Sequence, residues 1–192
     1  MIPMKEKIKK IIKESMEVKE SLSKAETVNI EKAAKAIIES LKSGGKLLVF
    51  GNGGSAADSQ HMVAELVGRF KKERRPLAAI ALTTNTSTLT AIANDYGYEA
   101  VFSRQVKALG SPGDVAFGIS TSGNSKNVIE AIKKAKGIGL KTIGLIGAGG
   151  GKMKSECDIS IIVPSGDTPR IQEAHLVVCH IICELIEEEL FK

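Results

Sequence analysis

Aromatic residues are scarce in this 192-residue sequence, which has no tryptophan, five phenylalanines and two tyrosines. Proteins that bind single-stranded nucleic acids usually place aromatic side chains among basic ones. This scarcity therefore argues against a nucleic-acid partner, despite a net charge of +5. We interpret the excess lysines, including those of the KKERR segment (Lys71 to Arg75), as a solvated helix face rather than a polyanion-binding patch.

Cysteines and long apolar runs are also few. The three cysteines are odd in number, so no disulfide framework is expected. Cys179 and Cys183 flank His180 in the apolar run LVVCHIICELI, and we interpret them as small buried residues rather than metal ligands. No apolar run approaches the roughly 20 residues that cross a bilayer, and the N-terminus is too charged for a secretory signal. We therefore expect a cytoplasmic protein without a membrane partner.

Short apolar runs alternate with amphipathic stretches from Lys46 onward. Continuously apolar runs are typical of strands that are buried on both faces, as in parallel sheets. The alternation predicts an α/β fold: a three-layer, doubly wound, five-stranded parallel sheet flanked by helices. The predicted strands are 46–50, 77–82, 114–120, 141–146 and 158–163, and the predicted helices between and after them are 54–70, 86–108, 126–137 and 168–190.

The segment before the first strand has helical periodicity in two blocks. Apolar residues recur at three- and four-residue steps from Ile8 to Leu22 and again from Ile30 to Leu41, and Gly44-Gly45 ends the pattern. We therefore predict a pair of helices within residues 4–43. No linker separates the pair from the rest, so we expect one domain over residues 1–192. The pair would pack on that domain or on a neighbouring subunit.

Glycine- and hydroxyl-rich segments follow the first and third predicted strands, and ligands of such sheets bind beyond the carboxyl ends of the strands. In GNGGS, the glycines permit a tight turn close to a ligand, and Ser55 can cap the next helix, whose N-terminus favours an anion. In STSGNS, four hydroxyl groups surround a glycine before a helix. No GxxxxGK[ST] motif is present, so the pattern favours a small phosphorylated metabolite over a nucleotide.

Two further sets of polar residues lie on predicted helices. His61 and Glu65 are one turn apart on one face of the helix that follows GNGGS. Gln172 and His180 lie on the apolar last helix, while His175 is interpreted as structural or surface. Eight helical residues rise about 12 Å, too far for Gln172 and His180 of one straight helix to reach one metal. Either they come from different chains, which predicts a site shared between subunits, or Gln172 lies outside the helix.

Four segments together resemble the phosphoheptose isomerase branch of the SIS (sugar isomerase) family. They are GNGGSAADSQHMVAELVGRF, TTNTSTLTAIANDYGYE, ISTSGNSKNV and DTPRIQEAHLVVCH. The resemblance implies the SIS fold and a cytoplasmic homotetramer. It also implies isomerisation of D-sedoheptulose 7-phosphate to D-glycero-D-manno-heptose 7-phosphate, the first step of bacterial heptose synthesis for lipopolysaccharide.

The resemblance also implies roles for individual residues. Glu65 and His180 would be the catalytic acid and base, in an order that the sequence does not decide. One zinc ion per subunit would be bound by His61, Glu65, Gln172 and His180. The expected substrate-binding residues are Asn52, Gly53, Gly54, Ser55, Glu65, Asn94, Asp95, Ser120, Thr121, Ser122, Ser125 and Gln172.

Two alternatives to this function are compatible with the sequence. Some members of the SIS family act as non-catalytic protein-binding factors, for instance with the replication initiator. The positions that match Glu65 and His180 are lost in that branch, whereas both residues are present here. The second alternative is an isomerase of another ketose phosphate, because the loops recognise phosphate and hydroxyl groups more plainly than chain length.

Overall fold

The computed structural model describes residues 2–192 and contains one parallel sheet between two layers of helices. The strands are β1 (Leu47–Gly51), β2 (Ala79–Ala81), β3 (Val115–Ser120), β4 (Lys141–Ile146) and β5 (Ile159–Ile162), in the order β2-β1-β3-β4-β5. The helices are α1 (Met4–Lys42), α2 (Gly54–Val67), α3 (Thr86–Tyr96), α4 (Val101–Leu109), α5 (Lys126–Gly137) and α6 (Thr168–Leu190). The predicted three-layer α/β fold is confirmed.

The two faces of the sheet carry separate cores because successive strand residues point to opposite sides. Leu47 and Val49 of β1 pack with residues of α1, α2 and α6 on one face. Leu48 and Phe50 pack with residues of α4 and α5 on the other face. All four side chains are fully buried, which explains why the strand is apolar throughout.

The N-terminal segment is one helix of 39 residues, so the predicted pair of helices is wrong. The stretch between the two periodic blocks contains neither glycine nor proline, and nothing in it stops a helix. The first buried residue of α1 is Leu22, and from there the helix packs against α6 and the sheet. Before Leu22 most apolar side chains are exposed, including Ile8, Ile12 and Met16, and Val18 is half-buried.

The predicted helix over residues 86–108 is interrupted. Gly97 has a φ of 84° and ends α3, and a short 3-10 turn (Tyr98–Ala100) leads into α4. A left-handed residue cannot continue a right-handed helix, and glycine adopts that conformation without strain. Two more 3-10 turns, Ala148–Gly150 and Lys152–Ser155, connect β4 to β5.

The cysteines are free thiols, and burial raises the pKa of Cys157 and of Cys183 to about 12. The pKa of Cys179 is raised well above its ordinary value for the same reason. Such thiols stay protonated at neutral pH and are poor metal ligands, which supports their interpretation as buried residues. Among residues 2–192, no helix combines the length and the apolarity needed to cross a membrane.

Candidate active site

The loops after β1 and β3 lie side by side at the carboxyl edge of the sheet, as predicted. β1 pairs with β2 on one side and with β3 on the other, and Gly51 aligns with Ile119 near the ends of β1 and β3. The chain winds in opposite directions from β1, which creates a crevice at this point in doubly wound sheets. GNGGS and STSGNS therefore border one crevice.

The first loop brings the N-terminus of α2 into this crevice. Gly53 precedes the helix with a φ of 56°, and no side chain caps the helix. The prediction that Ser55 caps α2 is wrong, because the chain is already helical at Gly54 and Ser55 lies buried in the first turn. An uncapped helix N-terminus offers N–H groups and a positive dipole end to an anion.

In the second loop, Ser120 and Ser125 face each other. Their Oγ atoms lie 3.0 Å apart, and the Gly123 amide donates to Ser120 Oγ at 3.2 Å. The Oγ of Ser122 accepts the Asn124 amide at 3.1 Å, and Thr121 is half-buried. A Cβ on Gly123 would lie 2.2 Å from the Gly150 carbonyl oxygen, so only glycine fits there. The loop thus presents clustered hydroxyl groups at the start of α5.

Asn52 is held by two residues that the sequence did not single out. Its amide exchanges two hydrogen bonds with the Asn127 amide, at 2.8 and 2.9 Å. The Tyr98 hydroxyl donates to Asn52 Oδ1 at 3.1 Å. Asn127 is buried at the start of α5, so this pair joins the two loops. No short motif marks either partner, since both act through the tertiary fold.

His61, Glu65 and His180 form one cluster. The Nε2 atom of His61 lies 3.0 Å from Glu65 Oε1 and 3.2 Å from the Nε2 atom of His180. One ligand atom from each residue lies within 4.8 Å of the others, a spacing that suits a single metal ion. The rings of Phe70 and His180 are in contact, with centroids 5.6 Å apart. The sequence prediction of a polar cluster across α2 and α6 agrees with this geometry.

Gln172 lies inside α6, so the alternative that places it outside the helix is wrong. Its amide packs against the first turn of α2: a Cβ on Gly54 would lie 2.2 Å from Gln172 Nε2. Gln172 therefore borders the first loop, near the N-terminal ends of α2 and α6. His180 lies about two turns further along α6. Of the two earlier alternatives, only a contribution from different chains would bring Gln172 and His180 to one metal.

Asn94 and Asp95 stay apart from the rest of the site within this chain. Both are exposed on α3, a helix without a single buried residue, and Asn94 donates to the Asp95 carboxylate at 2.9 Å. No hydrogen bond joins either one to the two loops or to the cluster of His61 and Glu65 within residues 2–192.

Two ionisable groups on the crevice-facing helices have shifted pKa values: the half-buried Asp58 of α2 and the fully buried His175 of α6. Burial raises the pKa of Asp58 to about 6, against the opposing charge of His61, and its Oδ2 atom has no hydrogen-bond partner among the described residues. Burial also lowers the pKa of His175 to about 4, and the nearby Ile146 carbonyl opposes this only in part. His175 is fully buried, so it is a structural residue and not a surface one.

The KKERR segment is a loop rather than a helix, and the Arg74 side chain is only 1% exposed. Lys71 and Lys72 are exposed, as interpreted, but the prediction that they lie on a helix face is wrong, and Arg74 beside them is buried. Its partner is Glu187, 113 positions away on α6. A charge pattern alone gives no sign of such a distant partner.

A family model described as "SIS domain" matches residues 11–147. The chain is 60% identical over 183 residues to a phosphoheptose isomerase of Aliarcobacter butzleri, covering 94% of this chain and 97% of that protein. It is 58% identical to one of Aquifex aeolicus, covering 96% and 97%. A solved phosphoheptose isomerase structure from Neisseria gonorrhoeae superposes with a TM-score of 0.92 at 45% identity, covering 97% and 100%. The chain belongs to the phosphoheptose isomerase family of SIS-domain proteins.

Proposed function

We propose that this protein is an aldose–ketose isomerase that converts D-sedoheptulose 7-phosphate to D-glycero-D-manno-heptose 7-phosphate. The observation that carries the proposal is the His61–Glu65–His180 cluster at a crevice bordered by two hydroxyl- and glycine-rich loops. The chemistry of the cluster and of the loops is complementary. The cluster would move protons, and the loops would hold the phosphate at a fixed distance from the reacting carbons.

The reaction moves a carbonyl group from C2 to C1 through an enediol. A base removes a proton from C1, and an acid returns one to C2. Glu65 and His180 are the groups for these two transfers, because both reach the cluster and both are partly shielded from water. Ser120, Ser125 and the N-terminus of α2 hold the phosphate, which fixes the reacting carbons beside Glu65 and His180.

The remaining substrate contacts are assigned by resemblance to the family. Asn52, held by Asn127 and Tyr98, borders both loops, and Gln172 lies against Gly54. Each would bind hydroxyl groups of the sugar. The full proposed substrate-binding set comprises Asn52, Gly53, Gly54, Ser55, Glu65, Asn94, Asp95, Ser120, Thr121, Ser122, Ser125 and Gln172.

The cluster suits one zinc ion per subunit. Two imidazole nitrogens and one carboxylate oxygen lie within 4.8 Å of one another, and zinc prefers nitrogen and oxygen ligands in a tetrahedral arrangement. His61, Glu65 and His180 would supply three ligands, and Gln172 of a neighbouring copy would supply the fourth. Zinc held there would supply Lewis-acid stabilisation of the negative oxygen that develops at the carbonyl.

The proposed assembly is a homotetramer with its active sites at subunit interfaces. Three features support this. Apolar residues in the first half of α1 are exposed, α3 has no buried residue, and Gln172 and His180 are two turns apart on one helix. A neighbouring copy would cover the first two surfaces, and it would bring Asn94, Asp95 or Gln172 to a cluster that its own chain does not complete.

Further proposals concern the domain, the location of the enzyme and the alternative functions. Residues 1–192 would form a single SIS domain. Sugar phosphates are made and used in the cytoplasm, so we place the enzyme there, at the first step of heptose supply for lipopolysaccharide. The non-catalytic alternative is disfavoured because Glu65 and His180 are both present and lie in one cluster. An isomerase of another ketose phosphate is the second candidate.

The test is an NMR assay of purified protein with sedoheptulose 7-phosphate, run before and after chelation, with fructose 6-phosphate as a competing substrate. Heptose 7-phosphate that disappears on chelation and returns with zinc supports both the reaction and the metal. Product that resists chelation supports the isomerase and removes zinc from the mechanism. Turnover of fructose 6-phosphate alone would favour the second candidate, and no turnover of either would favour the binding factor.

A further inference from the structure

A buried carboxylate on α6 organises the loop that follows α2. Glu187 is 2% exposed, and its carboxylate accepts backbone N–H groups from Phe70 at 3.1 Å, Lys71 at 2.8 Å and Lys72 at 2.6 Å. The Arg74 Nε donates to it at 3.0 Å. Burial by itself would raise the pKa of Glu187, but these donors together hold it below its ordinary value, so the group is a carboxylate.

The guanidinium of Arg74 caps the end of α2 that carries Glu65. Its Nη2 donates to the Glu65 carbonyl at 2.7 Å, and its Nη1 donates to the Leu66 and Gly68 carbonyls at 2.8 and 3.1 Å. Carbonyl groups of a last helical turn lack partners within the helix, and a positive charge there is favourable. Arg74 therefore fixes the last turn of α2 to Glu187 of α6.

The same loop touches His180 directly. The amide of Phe70 is held by Glu187, and the ring of Phe70 packs on the His180 imidazole with centroids 5.6 Å apart at 35°. Glu187 lies about two turns after His180 on α6. Phe70, Arg74 and Glu187, here called the Glu187 clamp, thus connect the helix that bears His61 and Glu65 with the helix that bears His180.

We propose that Arg74 and Glu187 are positioning residues for the isomerisation, fixing Glu65 and His180 relative to each other through the Phe70 loop. The kinetic part of this inference rests on the proposed function. A misplacement of about 1 Å at reacting groups costs roughly a hundredfold in rate. The clamp lies away from the phosphate loops, so its loss acts on kcat far more than on KM.

The first variant is Glu187→Gln, which places an amide NH2 among N–H donors. The matched control is Asp114→Asn. Asp114 is also 2% exposed, and it accepts the backbone amides of Lys46 and Ser111 and the Lys46 ammonium. It lies at the amino ends of β1 and β3, the opposite edge from the crevice. Both variants remove a buried, hydrogen-bonded carboxylate, so Asp114→Asn shows what a loss of stability alone does to kcat.

Two readouts are measured on each full-length variant. The first is the kcat and KM for sedoheptulose 7-phosphate. The second is the ring NMR spectrum of ¹³C-histidine-labelled protein, which contains only three histidines: His61, His175 and His180. His175, buried elsewhere on α6, serves as an internal reference. The ring signals report the arrangement of the cluster whether or not the protein turns over this substrate.

We expect Glu187→Gln to lower kcat about ten- to hundredfold, with KM within about threefold of the parent. The His180 signal should move while that of His175 stays. Asp114→Asn should leave kcat and the His180 signal unchanged. A folded Glu187→Gln with parental kcat and parental His180 signal would overturn the inference, as would an equal loss of kcat in both variants.

A second variant covers the case in which Glu187→Gln does not fold. Phe70→Leu keeps the ion pair and an apolar side chain but removes the ring from His180. It should lower kcat and move the His61 signal, whereas the His180 signal shifts in any case with the loss of the neighbouring ring. Parental kcat with a parental His61 signal would overturn the inference. If the parent protein shows no isomerase activity, the proposed function fails separately, and the shift of the His180 signal still decides whether the clamp orders the cluster.

Discussion

The Nε2 atoms of His61 and His180 lie 3.2 Å apart, although 119 positions separate the two residues in the chain. At this distance one proton or one cation must lie between the two nitrogens, since two lone pairs would repel each other. Glu65 lies 3.0 Å from the same nitrogen of His61. The parallel packing of α2 and α6 therefore brings together groups suited to proton transfer or metal binding, at the edge of the crevice that the two loops border.

Replacing Glu65 by glutamine should abolish most of the turnover while the fold stays intact. The substitution keeps the size of the side chain but removes a group that accepts and returns protons, which is worth about 10²- to 10⁴-fold in rate. The measurement is kcat for sedoheptulose 7-phosphate together with the urea midpoint. Glu73→Gln, at a side chain that is 91% exposed, is the control. A folded Glu65→Gln variant with a near-normal rate would contradict the assignment of Glu65 as a proton-transfer group.

Replacing Ser120 by alanine should weaken the binding of the phosphate group. Ser120 Oγ organises its loop through Ser125 and the Gly123 amide, and hydrogen bonds to charged groups are worth about 1.5–3 kcal/mol. We expect KM for the sugar phosphate and Ki for inorganic phosphate to rise together, by roughly ten- to hundredfold. Ser155→Ala, at an exposed serine, should change neither. A KM that rises without a change in Ki would place Ser120 at the sugar instead.

Gly54→Ala should lower activity through Gln172. The new Cβ would lie 2.2 Å from Gln172 Nε2, and the end of this flexible side chain must move away. Because the side chain can move and alanine favours a helix, the free energy of unfolding should stay within about 1 kcal/mol of the parent. We expect kcat/KM to fall about tenfold or more, a loss of about 1.4 kcal/mol or more in transition-state binding. Gly137→Ala, a helical position with open space around it, should leave kcat/KM unchanged. Equal kcat/KM in both variants would show that the Gln172 position is unimportant.

The buried His175 should make the protein less stable in mild acid. Its pKa is about 4 in the folded protein and 6.5 when unfolded, so between these values the unfolded state binds more protons. The associated stability is complete above pH 6.5 and is lost as the pH falls toward 4, by up to about 3 kcal/mol. Because Asp58 shifts in the opposite direction, the measurement is the difference between the parent and His175→Leu in urea unfolding at several pH values. If the free energy of unfolding had the same pH dependence in both proteins, His175 would not be the source of the acid sensitivity.

Features that depend on neighbouring residues in the chain were predictable from the sequence. The five strands are continuous apolar runs, and the loops after β1 and β3 are rich in glycine and hydroxyl groups. His61 and Glu65 share a helix face because they are one turn apart. The predictions were wrong about where helices end. A break was predicted within α1, which continues because nothing stops it, and none was predicted at Gly97, where α3 ends.

Features that depend on distant contacts were not predictable in the same way. The Arg74 side chain is buried because Glu187 and the end of α2 surround it, and both belong to the tertiary fold. Asn127 and Tyr98 reach Asn52 only after the sheet has aligned the two loops. A single sequence contains the residue types but not these pairings, so KKERR resembled an ordinary charged surface segment.

Isomerisation in D₂O, followed by NMR or mass spectrometry of the product, distinguishes proton transfer through an enediol from a direct hydride shift. Proton transfer by Glu65 and His180 through an enediol predicts that at least part of the heptose 7-phosphate carries deuterium at C2, because these groups exchange with solvent between steps. Glu65→Gln should form neither product nor labelled substrate. Product formed at full rate without any deuterium at C2 would indicate a direct hydride shift and would contradict proton transfer by Glu65 and His180.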